Sequence, residues 1–167
     1  EEEITSALVR VLKDGQKTVC FLTGFGERSL DDRANDSYST AKEQLERNNY
    51  KTQTVSLLEK TEIPKECSIV VSAGPRQEYP QPIVDALKKY VEEGGRALIM
   101  VDPPMQTVRS TIAPQEALTK TLTEWGVTPK RNLILSMGRE VLQGLSPEIA
   151  IASEYGTHPI VREMRGG

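Results

Sequence analysis

A chain of 167 residues with a net charge of −3 at neutral pH is long enough to bury roughly two-thirds of its unfolded surface in one domain. Its lysines and arginines are scattered rather than clustered, which argues against a nucleic-acid binder working by phosphate neutralisation. No apolar run approaches the ~20 residues needed to span a bilayer and no secretory leader opens the chain. The sequence begins abruptly at Glu1-Glu2-Glu3 inside an apparent helix and ends at Met164-Arg165-Gly166-Gly167, so residues 1–167 read as a single soluble α/β domain cut from a larger protein.

In chain order, Ile4, Leu8, Val11 and Leu12 place an apolar stripe on a first helix that stops at Asp14-Gly15. Thr18-Val19-Cys20-Phe21-Leu22 is a β-branched and aromatic run that predicts the first core strand. It enters the glycine-interrupted loop Thr23-Gly24-Phe25-Gly26-Glu27-Arg28, and the polar stretch from Ser29 to Ser37 reads as a mobile loop. Tyr38, Ala41 and Leu45 mark a helix ending near Asn48-Asn49, and the polar alternation from Lys51 to Leu57 suits an edge strand.

The central unit runs from Cys67 to Pro104. Ser68 to Ser72 reads as a buried strand, broken by Ala73-Gly74-Pro75. A helix from about Pro80 or Pro82 carries Ile83, Leu87, Tyr90 and Val91 on one face and stops at Gly94-Gly95. Ala97 to Val101 reads as a second buried strand, closed by Asp102-Pro103-Pro104. Strand, helix and strand with continuous apolar runs predict a right-handed crossover in a parallel sheet. Pro114 opens a further helix with Leu118, Leu122 and Trp125 as its stripe, Leu133-Ile134-Leu135 and Ile149-Ala150-Ile151-Ala152 read as short strands, and Tyr155 to Ile160 closes the informative sequence. The alternation predicts an α/β three-layer sandwich with a mostly parallel sheet in flavodoxin-like order.

Ligands of such sheets bind at the carboxyl ends of the strands. There the sequence puts Gly24, Phe25, Gly26, Glu27, Arg28, Gly74, Arg76 and Asp102, the candidate ligand- or partner-binding rim. The Gly24-Phe25-Gly26 triplet lacks the third glycine and the immediate helix that a dinucleotide fingerprint needs, and the chain holds no P-loop. A nucleophile elbow would put Ser or Cys at the turn that here carries Ala73-Gly74-Pro75. One histidine and two strand cysteines make no metal-ligand set, and Asp31, Asp32 and Asp36 lack the spacing of a calcium loop. Neither catalytic residues nor cofactor nor metal is therefore expected. Cys20 and Cys67 read as two separate buried thiols, with a bridge between neighbouring strands as the alternative. Tyr155-Gly156-Thr157-His158-Pro159-Ile160 reads as an extended exit segment in which His158 acts as a structural latch rather than a catalytic base.

Several pieces in order resemble the auxiliary domain of an uncharacterised class of bacterial ABC transport systems, the family that includes the gliding-motility-associated auxiliary component. They are Lys17 to Glu27, Ala73-Gly74-Pro75, Tyr90 to Leu98, Asp102-Pro103, Leu122 to Val127 and Tyr155 to Ile160. Phe25 stands where the first loop of that family often has histidine. The resemblance implies a periplasmic domain on the outer face of the cell membrane, tethered by segments outside this chain and working beside a transporter permease and ATPase. It also implies a fold akin to the class I glutamine amidotransferase-like group without its catalytic cysteine. The expectation is a non-enzymatic domain that binds a partner or ligand. The alternatives are an amidotransferase-like or sugar-utilisation-type enzyme, and a pure scaffold similar to intraflagellar-transport domains.

Overall fold

The computed structural model describes residues 15–31, 37–58, 61–106, 111–135 and 156–162. The expected first helix and the expected strand at 149–152 lie outside these residues. The chain divides into two compact units, Glu1–Lys130 and Arg131–Gly167.

The first unit is built on four parallel strands: β1 (Thr18–Thr23), β2 (Lys51–Ser56), β3 (Cys67–Ala73) and β4 (Ala97–Met100), in the order β2-β1-β3-β4. This is the flavodoxin-like order, with β1, β3 and β4 side by side and β2 at the edge, as the apolar runs and the polarity of Lys51-Thr52-Gln53-Thr54 predict. Alternate side chains serve opposite faces. Cys20, Leu22, Val55 and Val70 point to one face, where helix α2 (Gln81–Glu92) contributes Ile83, Val84 and Leu87 and helix α3 (Glu116–Glu124) contributes Leu118. Val19, Phe21, Val71 and Ala73 point to the other, covered by Leu30 and by Tyr38 and Leu45 of the segment leading into helix α1 (Ser39–Arg47) and of α1 itself. Each large apolar side chain so buried contributes about 1.5–3 kcal/mol. Helices on both faces of a parallel sheet make the three-layer sandwich.

The helices follow local rules. Pro80 caps α2 in an extended conformation, and Pro82 falls in its first turn, where a missing N–H is harmless. At the other end the Gly95 N–H bonds to the Tyr90 carbonyl at 2.8 Å. A Cβ on Gly95 would stand 2.5 Å from that oxygen and from the Tyr90 ring, so only glycine lets the chain turn back into β4. Tyr90 is itself held by its hydroxyl, which donates to the Cys67 carbonyl at 3.0 Å.

Four expectations change. Leu30, in the stretch read as a mobile loop, is buried in the core with Val19, Phe21 and Val71, and next to it the Ser29 carbonyl accepts the Tyr38 N–H at 2.8 Å. Residues 97–101 form not a buried strand but the second edge: Ala97 and Leu98 are exposed, because no described strand pairs beyond β4. Leu133, Ile134 and Leu135 are exposed and outside any strand. After β4 comes a small antiparallel pair absent from the sequence reading, β5 (Met105–Gln106) with β6 (Thr111–Ile112).

The fourth concerns the cysteines. Cys20 and Cys67 are joined by a disulfide with their Cα atoms 5.6 Å apart, not held as separate thiols. The cause is a register shift between β1 and β3: Thr18 pairs with Cys67, but Val19 pairs with Ile69. Ser68 is the extra residue, and such an insertion moves Cys67 onto the sheet face that Thr18 and Cys20 share. The bridge ties residues 47 apart in sequence, and loop-closure entropy assigns it about 4 kcal/mol. Cys20→Ala combined with Cys67→Ala is expected to lower the unfolding free energy by about 2–4 kcal/mol, read as a fall in the urea midpoint. An unchanged midpoint would show that the sheet does not lean on the bridge.

Candidate functional site

At the carboxyl edge of the sheet, the chain leaves β1 toward α1 on one face and leaves β3 toward α2 on the other. Between the two lies the crevice that holds ligands in doubly wound folds. Beside it, on the face covered by α2, two aromatic side chains pack into the core. Phe25 and Tyr79, both buried, meet edge to face with ring centroids 5.1 Å apart and planes at 89°. The backbone closes around them: the Phe25 carbonyl accepts from the N–H groups of Arg76 at 3.0 Å and Gln77 at 2.9 Å, and the Arg28 N–H donates to the Ala73 carbonyl at 3.0 Å.

Tyr79 is 1% exposed, so its hydroxyl needs partners inside the protein. It donates to Glu27 Oε1 at 2.7 Å and lies 2.9 Å from Ser72 Oγ, which therefore donates to the phenol oxygen. The other Glu27 oxygen accepts the Phe25 N–H at 2.7 Å. The Tyr79 N–H donates to Gln115 Oε1 at 3.0 Å, and Gln115 Nε2 donates to the Gln77 carbonyl at 2.7 Å. Burial drives the Tyr79 phenol far above its ordinary range; the Ser72 hydrogen bond opposes this, and the Glu27 carboxylate adds to it. Among the described residues no buried side-chain nitrogen or oxygen lacks a hydrogen-bond partner.

A second cluster sits at the ends of β3 and β4. Arg28 Nη2 and Asp102 Oδ2 are 3.0 Å apart, both partly exposed. Gly74, at φ +64°, lies beneath them: a Cβ there would stand 3.1 Å from Asp102 Oδ2 and 3.4 Å from Arg28 Nε. Gly26 backs onto Arg76, whose Cβ would be 3.0 Å from a Cβ at position 26, and Leu58 lies over Gly24.

The rim read from the sequence therefore separates into two groups. Arg28, Gly74 and Asp102 converge, Gly26 backs onto Arg76, and Gly24 lies apart from them against Leu58 and Ser56. Phe25 turns inward, and Glu27 spends its oxygens on Phe25 and Tyr79. His158 belongs to the second unit, exposed at the start of a one-turn helix, α4 (Pro159–Arg162). Its carbonyl accepts the Val161 N–H at 3.0 Å, so the segment is turned rather than extended there, Pro159 supplying a first helical residue. Tyr155 lies outside the described residues. Sequence reading missed Tyr79 and Gln115; the signal available was a tyrosine directly before the Pro80 helix start, whose hydroxyl needs a partner once buried. No group of three or more potential metal-ligating side chains occurs among the described residues.

This geometry makes three outcomes testable. Tyr79→Phe leaves Ser72 and Glu27 without their shared partner and should cost about 1–3 kcal/mol. Because the folded protein holds the phenol neutral, the unfolded chain releases that proton first as pH rises past the ordinary value of 10.0. Tyr79 thus contributes stability below that pH that is lost progressively above it. Denaturant midpoints measured between pH 8 and about pH 11 should fall less steeply in Tyr79→Phe than in the parent; equal slopes would contradict the buried neutral phenol. Gly74→Val should cost about 1–3 kcal/mol through the left-handed backbone alone, and a midpoint equal to that of the parent would remove the turn from the argument.

No curated protein matches this chain. Over residues 16–149, more than half its length, the sequence matches the family described as an ABC-type uncharacterized transport system, and the matched span contains the described parallel sheet, the Phe25–Tyr79 ring pair and the Arg28–Asp102 pair. The chain is a member of that ABC-type transport-system family.

Proposed function

We propose that this domain is a non-catalytic, extracytoplasmic component of its transport system. It presents the surface around Gly24, Gly26, Arg28, Arg76 and Asp102 to a partner, with the permease as the first candidate and the ATPase working beside it. The observation that carries this reading is how the polar groups at the strand ends are engaged: the buried Tyr79 hydroxyl takes Ser72 and one Glu27 oxygen, and the other Glu27 oxygen accepts the Phe25 N–H. The position at which an elbow nucleophile would stand is Gly74, crowded by Asp102 and Arg28, and the nearby Ser72 hydroxyl is buried against Tyr79. What remains outside is a small charged surface stiffened from below, which suits docking. The Cys20–Cys67 disulfide supports the location, since such bridges persist in oxidising compartments and are rare in the cytosol.

The amidotransferase-like enzyme is the competing reading, and it needs a nucleophile at the turn after β3, where this chain has Gly74. A photo-crosslinking amino acid at position 76, in the full-length protein in its native membrane, should capture the permease, whereas the same probe at the exposed Glu43 of α1 should not. Trapping free thiols in intact cells should find Cys20 and Cys67 unreactive. Thiols that react would count against the location. Capture of soluble cytosolic proteins alone, or an amidase or esterase activity lost in Ser72→Ala, would overturn the function.

A further inference from the structure

The two edges of the sheet are unlike. β2 ends it with Lys51-Thr52-Gln53-Thr54, a polar edge of the kind that discourages strand addition. β4 ends it with Ala97-Leu98-Ile99-Met100 and runs on through Val101, with no charge or proline until Asp102-Pro103. Leu98 is 53% exposed and Val101 36%, and among the described residues no strand pairs with the outer side of β4. A row of backbone donors and acceptors flanked by apolar side chains is a template for another strand.

The hydrogen bonds to β3 fix which residues offer that template. The Val70 N–H bonds the Arg96 carbonyl at 2.8 Å, and the Gly74 N–H bonds the Met100 carbonyl at 3.1 Å. In a parallel ladder, backbone groups of alternate residues face the same neighbour, so those of Arg96, Leu98 and Met100 face β3. Those of Ala97, Ile99 and Val101 face outward. A second copy related by a two-fold axis meets them in antiparallel register, with one residue of the strand opposite itself; a centre on Leu98 or Met100 pairs only two of the three outward residues with each other. Centring on Ile99 uses all three: Ile99 pairs with Ile99 of the other copy, and Ala97 pairs with Val101 in both directions. The intervening, closely spaced pairs then become Leu98 opposite Met100 and Arg96 opposite Asp102. Apolar meets apolar, and an exposed arginine meets a partly exposed carboxylate. No other centre among the outward residues engages all three on both strands.

We infer that the β4 edge is a self-complementary pairing surface on which two copies of this chain join their sheets, centred on Ile99. The inference concerns the sheet edge and shares only Asp102 with the rim proposed above; its test reads self-association of this chain and not capture of a transport partner.

Sedimentation equilibrium on the 167-residue chain should show a monomer–dimer equilibrium across the micromolar to millimolar range. Ala97→Pro removes an outward N–H and leaves the β3 ladder intact, so it should abolish the dimer while the far-ultraviolet circular dichroism is kept. Arg96→Glu sets like charges opposite each other twice per dimer and should weaken association by about tenfold. Leu98→Cys with Met100→Cys, placed on a closely spaced pair, should give a covalent dimer on mild oxidation, whereas Leu98→Cys alone should not. A chain monomeric at millimolar concentration overturns the inference. So does a dimer that survives Ala97→Pro, or a monomer whose Ala97, Ile99 and Val101 amides are already protected from exchange, which would mean that another segment or partner covers the edge.

Discussion

The carboxyl end of this sheet depends on one buried hydroxyl. Tyr79 enters the interior as the last residue before the proline cap of α2, and its ring fills space that aromatic packing with Phe25 makes favourable to fill. A phenol taken out of water without partners would cost several kcal/mol, so the ring can be buried only if the surroundings complete its hydrogen bonds. Ser72 on β3 and Glu27 on the β1 loop do so, and Gln115, ahead of α3, holds the Tyr79 backbone. Three segments distant in sequence are thereby fastened at one point. The Arg28–Asp102 pair sits beside it, so the charged surface is held by a framework that was set for a different reason, namely the satisfaction of a core tyrosine.

That dependence shapes what the rim can do. A substrate site of the usual kind needs an opening at the switch point and polar groups aimed into it. Here the polar groups are aimed at each other: both Glu27 oxygens are engaged, and the Ser72 hydroxyl faces the phenol. Rigidity of this sort lowers the ordering cost of binding to a surface, because the groups on it need not be immobilised when a partner arrives. The engaged polar groups and the stiff rim are therefore two consequences of one packing solution.

How far the sequence could be read depended on whether the deciding interaction was local. Strand identity was legible because β-branched runs at 18–23 and 68–72 bury both faces, and the β2 edge was legible because Lys51, Gln53 and Thr54 have no place in a central strand. Gly74 was legible because a glycine–proline pair after a buried strand announces a turn, and its φ of +64° agrees. The disulfide was not, because its geometry depends on the one-residue shift at Ser68, which leaves no mark on composition. Leu30 was misread for a related reason: it is buried with Val19, Phe21 and Val71, which lie outside the polar stretch that carries it. The inward turn of Phe25 and Glu27 depended on Tyr79, a partner about fifty residues along the chain, and no window of sequence contains both.

The misreading of β4 is the instructive one, because there the local rule was sound and the inference from it was not. A continuous apolar run indicates a strand that wants cover on both faces and both edges. In this structure Ile99 and Met100 find cover from the two core clusters, and Tyr38 reaches Met100 Sδ with its hydroxyl at 3.6 Å, but Leu98 and the outer backbone do not. The sequence thus recorded a demand, and the structure shows which part of it the described chain meets. The unmet part is a row of outward amides and carbonyls at Ala97, Ile99 and Val101, bounded by Arg96 on one side and Asp102 on the other. Because opposite charges stand at the two ends of a short apolar strand, an antiparallel copy satisfies both ends at once, whereas a parallel copy in matching register would set arginine on arginine. The polarity of that edge, rather than its hydrophobicity, selects the orientation of whatever strand completes it.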